Sequence, residues 1–436
     1  MSDTPYVRRR QELLAQLGDG IAVIPTAPER LRNHDAHYPY RFDSYFWYLS
    51  GFPEPDAVIV LVGGKEAKSL LFCREKNEER ETWDGFRYGP ESACQTFGFS
   101  AAYPLGQLEQ RLPELLANRR FLWHSLGHDA EWDGRIAAAL NKVRSENRNG
   151  TRAPQEIRDL RGVLDQMRQI KDAHEMGMMR RAADIASAGH TRAMRACRPG
   201  MAEYELEAEV AYEFRRRGAS GHAYNPIVAG GANACILHYV ANDKVLDAHS
   251  LVLIDAGCEF DGYASDITRT FPVGGRFSAV QRDVYEIVLA AQQAAIAAVR
   301  PGASFSDYHQ VALRVLSQGL IDLHVLAGSV DGVLESEAYK PWYMHRTGHW
   351  LGLDVHDVGE YKSGTRDDDW VRLTPGMALT VEPGLYFRPA AEVPAELHGL
   401  AVRIEDDVFV NAGGGMVYSS APKTVAEIEA VMRHED

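Results

Sequence analysis

Across residues 20–125, short apolar runs alternate with longer polar segments. Residues 20–25, 57–62 and 70–73 are unbroken apolar runs of strand length and read as buried strands. Residues 108–116 and 132–143 read as helices. Strands and helices interleaved in this way predict an α/β domain. Residues 142–154 are charged, Asn-rich and aperiodic, as a linker or a surface loop would be. The change of domain is expected between that stretch and Asp172. It is placed at 165/166, giving an N-terminal domain over 1–165 and a second over 166–436.

From Asp172 a helical period runs to Ala196 and stops at Arg198-Pro199-Gly200. A second helix is expected over 203–217, ending at Gly218. About one hundred residues later the same grammar returns. Ser278 caps a helix reaching Val299, Arg300-Pro301-Gly302 stops it, and another helix begins near Asp307 and runs to 317. Two helix pairs with the same punctuation, each leading to strand-rich sequence, suggest an internal duplication. A chance likeness of helix ends is the alternative. Duplicated α+β halves would place a site at their interface, a favoured position for pockets.

The strand-rich segments carry the candidate chemistry. Residues 251–257 form an apolar strand containing Asp255, Asp261-Gly262 is a hairpin turn, and a return strand is expected over 263–271 with Asp266 inside it. A two-residue turn sets Asp255 opposite Thr268. Asp255 and Asp266 then become diagonal neighbours on one face, roughly 7–8 Å apart at the backbone. Two carboxylates on a buried face repel and lose hydration, and a cation between them relieves both. A turn-capping Asp, or a pair with Arg269, is the alternative for either one alone. Further on, His345 and His349 lie in a Gly-containing turn-like stretch, His356 follows, Glu382 ends a strand before Pro383-Gly384, and Glu405 sits in an alternating strand. Each is weak by itself. The ordered set Asp255, Asp266, His349, Glu382, Glu405 is specific: four carboxylates and one imidazole make a hard, oxygen-rich donor set. It suits two divalent ions such as manganese, cobalt, iron or zinc, and not a structural zinc, which prefers thiolates.

This ordered set resembles the pita-bread metallopeptidases, which include methionine aminopeptidase, prolidase and aminopeptidase P, with the metal-free creatinase as a relative. The match is nearest the bacterial aminopeptidase P branch through residues 46–52 (FWYLSGF) and 349–357 (HWLGLDVHD), and it covers about 40–417. The resemblance implies an α/β N-terminal domain followed by an α+β pita-bread catalytic domain with pseudo-twofold halves. It implies Xaa-Pro aminopeptidase activity on peptides with proline in second place, through a hydroxide bridging two metals, with manganese the expected ion. Asp255, Asp266, His349, Glu382 and Glu405 would be the ligands, with Asp266 and Glu405 shared by both ions. Glu382 would relay a proton to the leaving proline nitrogen. His238 and His356 would hold substrate and oxyanion, while His345, Tyr386 and Arg403 would line or back the proline pocket. Trp83 would reach a neighbouring subunit's active site, making a dimer or tetramer in which the N-terminal domain governs access and contacts; a partly buried loop anchor is the plainer alternative. The sequence departs from the pattern at Arg346, a bulky cation beside the ligand loop. It would point to solvent or touch the substrate's far carboxylate. The rival activities are prolidase, acting on Xaa-Pro dipeptides, a creatinase-like amidinohydrolase, and a non-catalytic pita-bread binding module. The complete donor set disfavours the last two.

Composition narrows the partners. Lys and Arg total 47 against 61 Asp and Glu, a net charge of −14, which disfavours nucleic acid. No apolar run reaches the ~18 residues of a membrane span, and no apolar stretch follows Arg8-Arg9-Arg10 as in a signal peptide. The five cysteines are scattered without CxxC spacing, so a reducing cytoplasm is expected.

Overall fold

The computed structural model describes residues 4–390 and 392–433. The chain forms two compact units and passes from the first to the second between Arg168 and Gln169.

The first unit is built on a six-stranded mixed sheet. Its spatial order is Ala101–Pro104, Lys68–Cys73, Val58–Val62, Gly20–Pro25, Phe121–Trp123, Glu156–Arg158. Val58–Val62 is buried at every position, which is why it reads as a continuous apolar run rather than an alternating one. Helices Leu108–Leu116 and Ala130–Ser145 contribute Leu112, Leu116, Ile136 and Leu140 to the same core. The aperiodic stretch after Ser145 is a loop within this unit, since Glu156–Arg158 returns to the sheet edge beside Phe121–Trp123. The next helix, Arg161–Gln169, is tied back by Tyr45 Oη donating to Asp165 (2.7 Å) and Tyr48 Oη donating to the Met167 carbonyl (3.0 Å). Those bonds carry the first unit past the expected 165/166 boundary.

In the second unit each half opens on a pair of helices. Asp172 and Ser278 begin them with full capping boxes, the side-chain oxygen of each cap accepting from a backbone N–H three residues on. Helices Ala173–Ala196 and Glu203–Arg216 precede an antiparallel sheet of Ile227–Gly230, Leu251–Asp255 and Thr268–Pro272. Helices Ala279–Ala298 and Asp307–Asp322 precede a second antiparallel sheet, Ala378–Val381, Asp406–Asn411 and Gly414–Val417. The second helix of the later pair runs to Asp322, beyond the expected 317.

The likeness of the halves extends to single hydrogen bonds. Gly200 N donates to Leu246 O (3.0 Å), and Gly302 N to Leu373 O (2.8 Å). Leu246 N donates to Met201 O and Leu373 N to Ala303 O, both at 2.8 Å. Both glycines have positive φ, 87° and 85°, so the Pro-Gly stops are required by the backbone. Chance likeness of helix ends does not reproduce a bonding pattern, so the two halves are pseudo-equivalent.

The return strand is not continuous. Asp255 faces Thr268, and Phe260 faces Tyr263 across Asp261 and Gly262, whose φ values of 52° and 82° fit a primed turn. Between these ladders residues 265–267 belong to no strand, so the expected strand over 263–271 is corrected to two pieces, Tyr263–Ala264 and Thr268–Pro272. The break occurs where Gly257 packs so tightly that a Cβ there would lie 1.7 Å from Ser265 O. Asp266 falls in the break, and its N–H donates to Asp407 Oδ1 (3.0 Å) instead of a ladder carbonyl.

Candidate active site

The strand ends that matter converge from both halves of the second unit. Asp255 closes Leu251–Asp255, Arg403 closes Leu400–Arg403, and Glu382 directly follows Ala378–Val381. Glu405 is not inside a strand as expected: it falls in the two-residue gap where the chain leaves Leu400–Arg403 and enters Asp406–Asn411 of another sheet. The histidine loop is zipped onto the strand that carries Glu382: Thr380 N donates to His349 O (2.9 Å) and Glu382 N to Thr347 O (2.8 Å). Gly348 permits this approach, because a Cβ there would come within 2.0 Å of Thr380 O.

The result is a cavity of about 1010 Å³ whose wall includes all five proposed ligands together with His238, His345, His356 and Arg403. Ligand atoms of Asp266, His349 and Glu405 lie within 4.8 Å of one another. His349 Nε2 is 3.3 Å from Asp266 Oδ2 and 3.7 Å from Glu382 Oε1. The His349 Nδ1–H donates to Trp350 O (2.9 Å), so Nε2 is the nitrogen turned to the carboxylates. Tyr386 is fully buried and hydrogen-bonded to His345. Arg403 Nη1 donates to Tyr386 Oη (2.9 Å), whose own hydrogen goes to His345 Nε2 (2.8 Å), because His345 Nδ1–H is spent on Arg346 O (2.7 Å). Arg269, the alternative partner for the aspartates, pairs with Asp406 instead (2.7 Å).

Burial dominates the electrostatics. It pushes the Glu382 carboxyl up to about 7, against the opposing pull of His349 and Arg403. Burial and the Asp266 charge raise Glu405 well above the carboxylate range, and burial raises Asp266. Burial lowers His349, but its bond to Asp266 and the charge of Glu382 outweigh that and lift it to about 9. Burial, helped by Arg403, pushes His345 down to about 3, so its imidazole is neutral. A wall of carboxylates this strongly shifted toward protonation, facing one imidazole, fits cations: the donors are oxygen-rich and their mutual repulsion is otherwise unrelieved.

Three supporting residues escaped the sequence reading. Tyr224 Oη reaches both Asp255 Oδ1 (2.7 Å) and Asp266 Oδ1 (2.5 Å). Thr268 Oγ1 donates to Glu405 Oε2 (2.7 Å), and Asp407 accepts the Asp266 N–H. Tyr224 and Thr268 belong to no motif. The only signal for Asp407 was its place in the run Glu405-Asp406-Asp407.

Carboxylates and histidine gathered at the strand ends of a duplicated α+β unit define a metallohydrolase. The chain belongs to metallopeptidase family M24, whose model matches residues 177–412, and it carries the aminopeptidase P N-terminal domain over 6–123. It is 43% identical to the Xaa-Pro aminopeptidase of Escherichia coli over 99% of this chain and 98% of that one. Among solved structures, the aminopeptidase PepP of Pseudomonas aeruginosa is 48% identical, with TM-score 0.96 and coverage of 99% and 98%. An Escherichia coli aminopeptidase P variant in complex with substrate is 42% identical, with TM-score 0.96 and coverage of 100% and 99%. The fold is therefore the pita-bread arrangement behind an aminopeptidase P N-terminal domain.

Proposed function

We propose that this chain is an Xaa-Pro aminopeptidase. It hydrolyses the bond between an N-terminal residue and a proline in second place, using two divalent metal ions, with manganese the expected pair. The observation that carries the reading is the convergence of Asp255, Asp266, His349, Glu382 and Glu405 on one cavity. The full-length similarity to Xaa-Pro aminopeptidase supports it. In this reading Asp255, Asp266, His349, Glu382 and Glu405 would hold the ions, with Asp266 and Glu405 the carboxylates that would serve both. Bound ions supply Lewis acidity and bring the pKa of water towards neutrality.

The chain's own groups do the rest. Glu382, on the cavity wall 3.7 Å from His349 Nε2, would take a proton at its carboxylate and return it to the proline nitrogen of the leaving fragment. His238 and His356 would hold substrate and the oxyanion, a reading supported by their exposure on the cavity wall. Proline's nitrogen carries no hydrogen, so selection must come from a shaped pocket rather than from an amide donor. Neutral His345 forms that wall, and the Arg403–Tyr386 chain fixes its ring. The free amino group of the substrate is captured beside Asp255.

Two further expectations belong to the reading. Five unpaired thiols support a reducing, cytoplasmic setting, and among the described residues no helix is long and apolar enough to cross a membrane. Trp83, 80% exposed on helix Glu78–Asp84 and so not a buried anchor, supports self-association. Prolidase is the second reading, favoured by one observation: Arg346 puts a cation on the cavity wall. The test is a panel of Ala-Pro, Ala-Pro-Ala and Ala-Ala-Ala with and without a chelator. Chelator-sensitive cleavage that prefers Ala-Pro-Ala supports the proposal; exclusive cleavage of Ala-Pro converts it to prolidase.

A further inference from the structure

The cavity has one wall of opposite sign to its floor. Around the reacting centre Asp255, Asp266, Glu382 and Glu405 outnumber one cation, Arg403, which is already paired with Asp255 (2.7 Å), whereas Arg346 and Lys362 face the same space from another wall. Arg346 is exposed and has no carboxylate partner among the described residues. Its guanidinium carbon lies 4.6 Å from the centroid of Trp370, and Lys362 Nζ lies 5.0 Å from that same ring. Both are within cation–π range. Two cations gathered on one ring repel each other. Lys362 has Asp367 3.6 Å away and wholly exposed, which is a weak partner.

The shelf is held in place by backbone. Lys362 pairs with Trp370 across a narrow hairpin, Val371 N donates to Tyr361 O (3.0 Å), and Ser363 N donates to Asp369 O (2.7 Å). On the other side, Arg346 directly follows His345, whose ring is 3.9 Å from Glu382 Oε2. A cation–π contact engages the ring without using up the guanidinium's N–H donors, and their fork matches a carboxylate.

We propose that Arg346, seated on Trp370 beside Lys362, recognises a carboxylate on the fragment that leaves with proline at its head. Substrate then lies with its amino group towards Asp255 and its anionic end towards Arg346. The inference rests on the Xaa-Pro aminopeptidase reading and adds to it a substrate class: short or acidic peptides whose leaving fragment is negatively charged near the cut. The carboxylate has three sources, namely proline's own in a dipeptide, the terminus of a tripeptide, or an acidic third side chain.

The experiment measures KM and kcat on the metal-loaded full chain for three matched pairs: Ala-Pro against Ala-Pro-amide, Ala-Pro-Ala against Ala-Pro-Ala-amide, and Ala-Pro-Asp-amide against Ala-Pro-Asn-amide. At least one anionic member is expected to have a KM lower by about tenfold, as a charge-assisted hydrogen bond supplies. The pair that shows it names the source. The preference should shrink as salt is raised, fall close to one in Arg346→Met, and persist in part in Arg346→Lys. Equal KM values in all three pairs would overturn the inference. So would ratios unchanged in Arg346→Met with only a lower melting temperature, since the stacking would then merely anchor the hairpin. If Arg346→Met does not fold, a wild-type preference insensitive to salt overturns it equally. Failure of the enzyme to cleave even the uncharged members is a separate result and refutes the aminopeptidase reading itself.

Discussion

Arg403 Nη2 lies 2.7 Å from Asp255 Oδ2, both groups being largely buried. The same guanidinium donates to Tyr386 and to Thr268 Oγ1 (3.3 Å), which in turn holds Glu405. One side chain therefore orients a proposed ligand from each half and the wall of the proline pocket. Arg403→Lys keeps the charge but loses the fork. It is expected to lower metal affinity or turnover by about 10–100-fold, the usual cost of removing a group that orients a metal ligand. Elemental analysis and kcat at saturating metal separate the two effects, and wild-type values for both would contradict the role.

Loss of a shared carboxylate should be more severe. Asp266→Ala and Glu405→Ala are expected to abolish activity and empty the site. His356→Ala should retain its metal and lose about 10²–10³-fold in turnover, as removal of one oxyanion donor does. His356 sits with its ring centroid 4.4 Å from that of His349, so it is close enough for the distinction to be informative. A metal-free His356→Ala protein would make it a ligand and not a stabiliser.

Metal uptake should release protons. With His349 raised to about 9 and Glu382 to about 7, both groups hold protons near neutral pH that a cation must displace. Affinity is therefore expected to rise with pH through this range and to level off only above the His349 value. Calorimetry of manganese binding in two buffers of different ionisation enthalpy measures the proton count directly. Identical heats and a flat pH dependence would contradict the assignment.

Gly257→Ala tests the break in the hairpin. Its Cβ would lie 1.7 Å from Ser265 O, a backbone atom that cannot rotate away. The backbone must shift, at a cost of about 1–3 kcal/mol or more, as overpacking does. A fall in melting temperature with loss of metal is expected, because the displaced segments are the strand that ends at Asp255 and the break that holds Asp266. An unchanged melting temperature would contradict the packing described.

Much of this was legible in the sequence, and the exceptions share a cause. Buried strands such as Val58–Val62 declared themselves by unbroken apolar runs, and the duplicated halves by the repeated Arg-Pro-Gly stops. The turn at Asp261-Gly262 fixed the pairing of Asp255 with Thr268. What the sequence did not show were interactions set by tertiary approach. The strand interruption at Asp266 arises from contact between Gly257 and Ser265, and alternation cannot report it. Tyr224 is a lone tyrosine whose reach to both aspartates exists only after the sheet forms. The bond from Tyr386 to His345 likewise joins residues 41 apart in the chain, and local pattern does not encode it.

The most direct test of the central claim titrates metal-free enzyme with manganese while following cleavage of Ala-Pro-Ala and Ala-Ala-Ala. Activity on Ala-Pro-Ala is expected to rise to a plateau at two ions per chain, with Ala-Ala-Ala left largely uncut. Full activity at one ion per chain, or equal cleavage of both peptides, would contradict it.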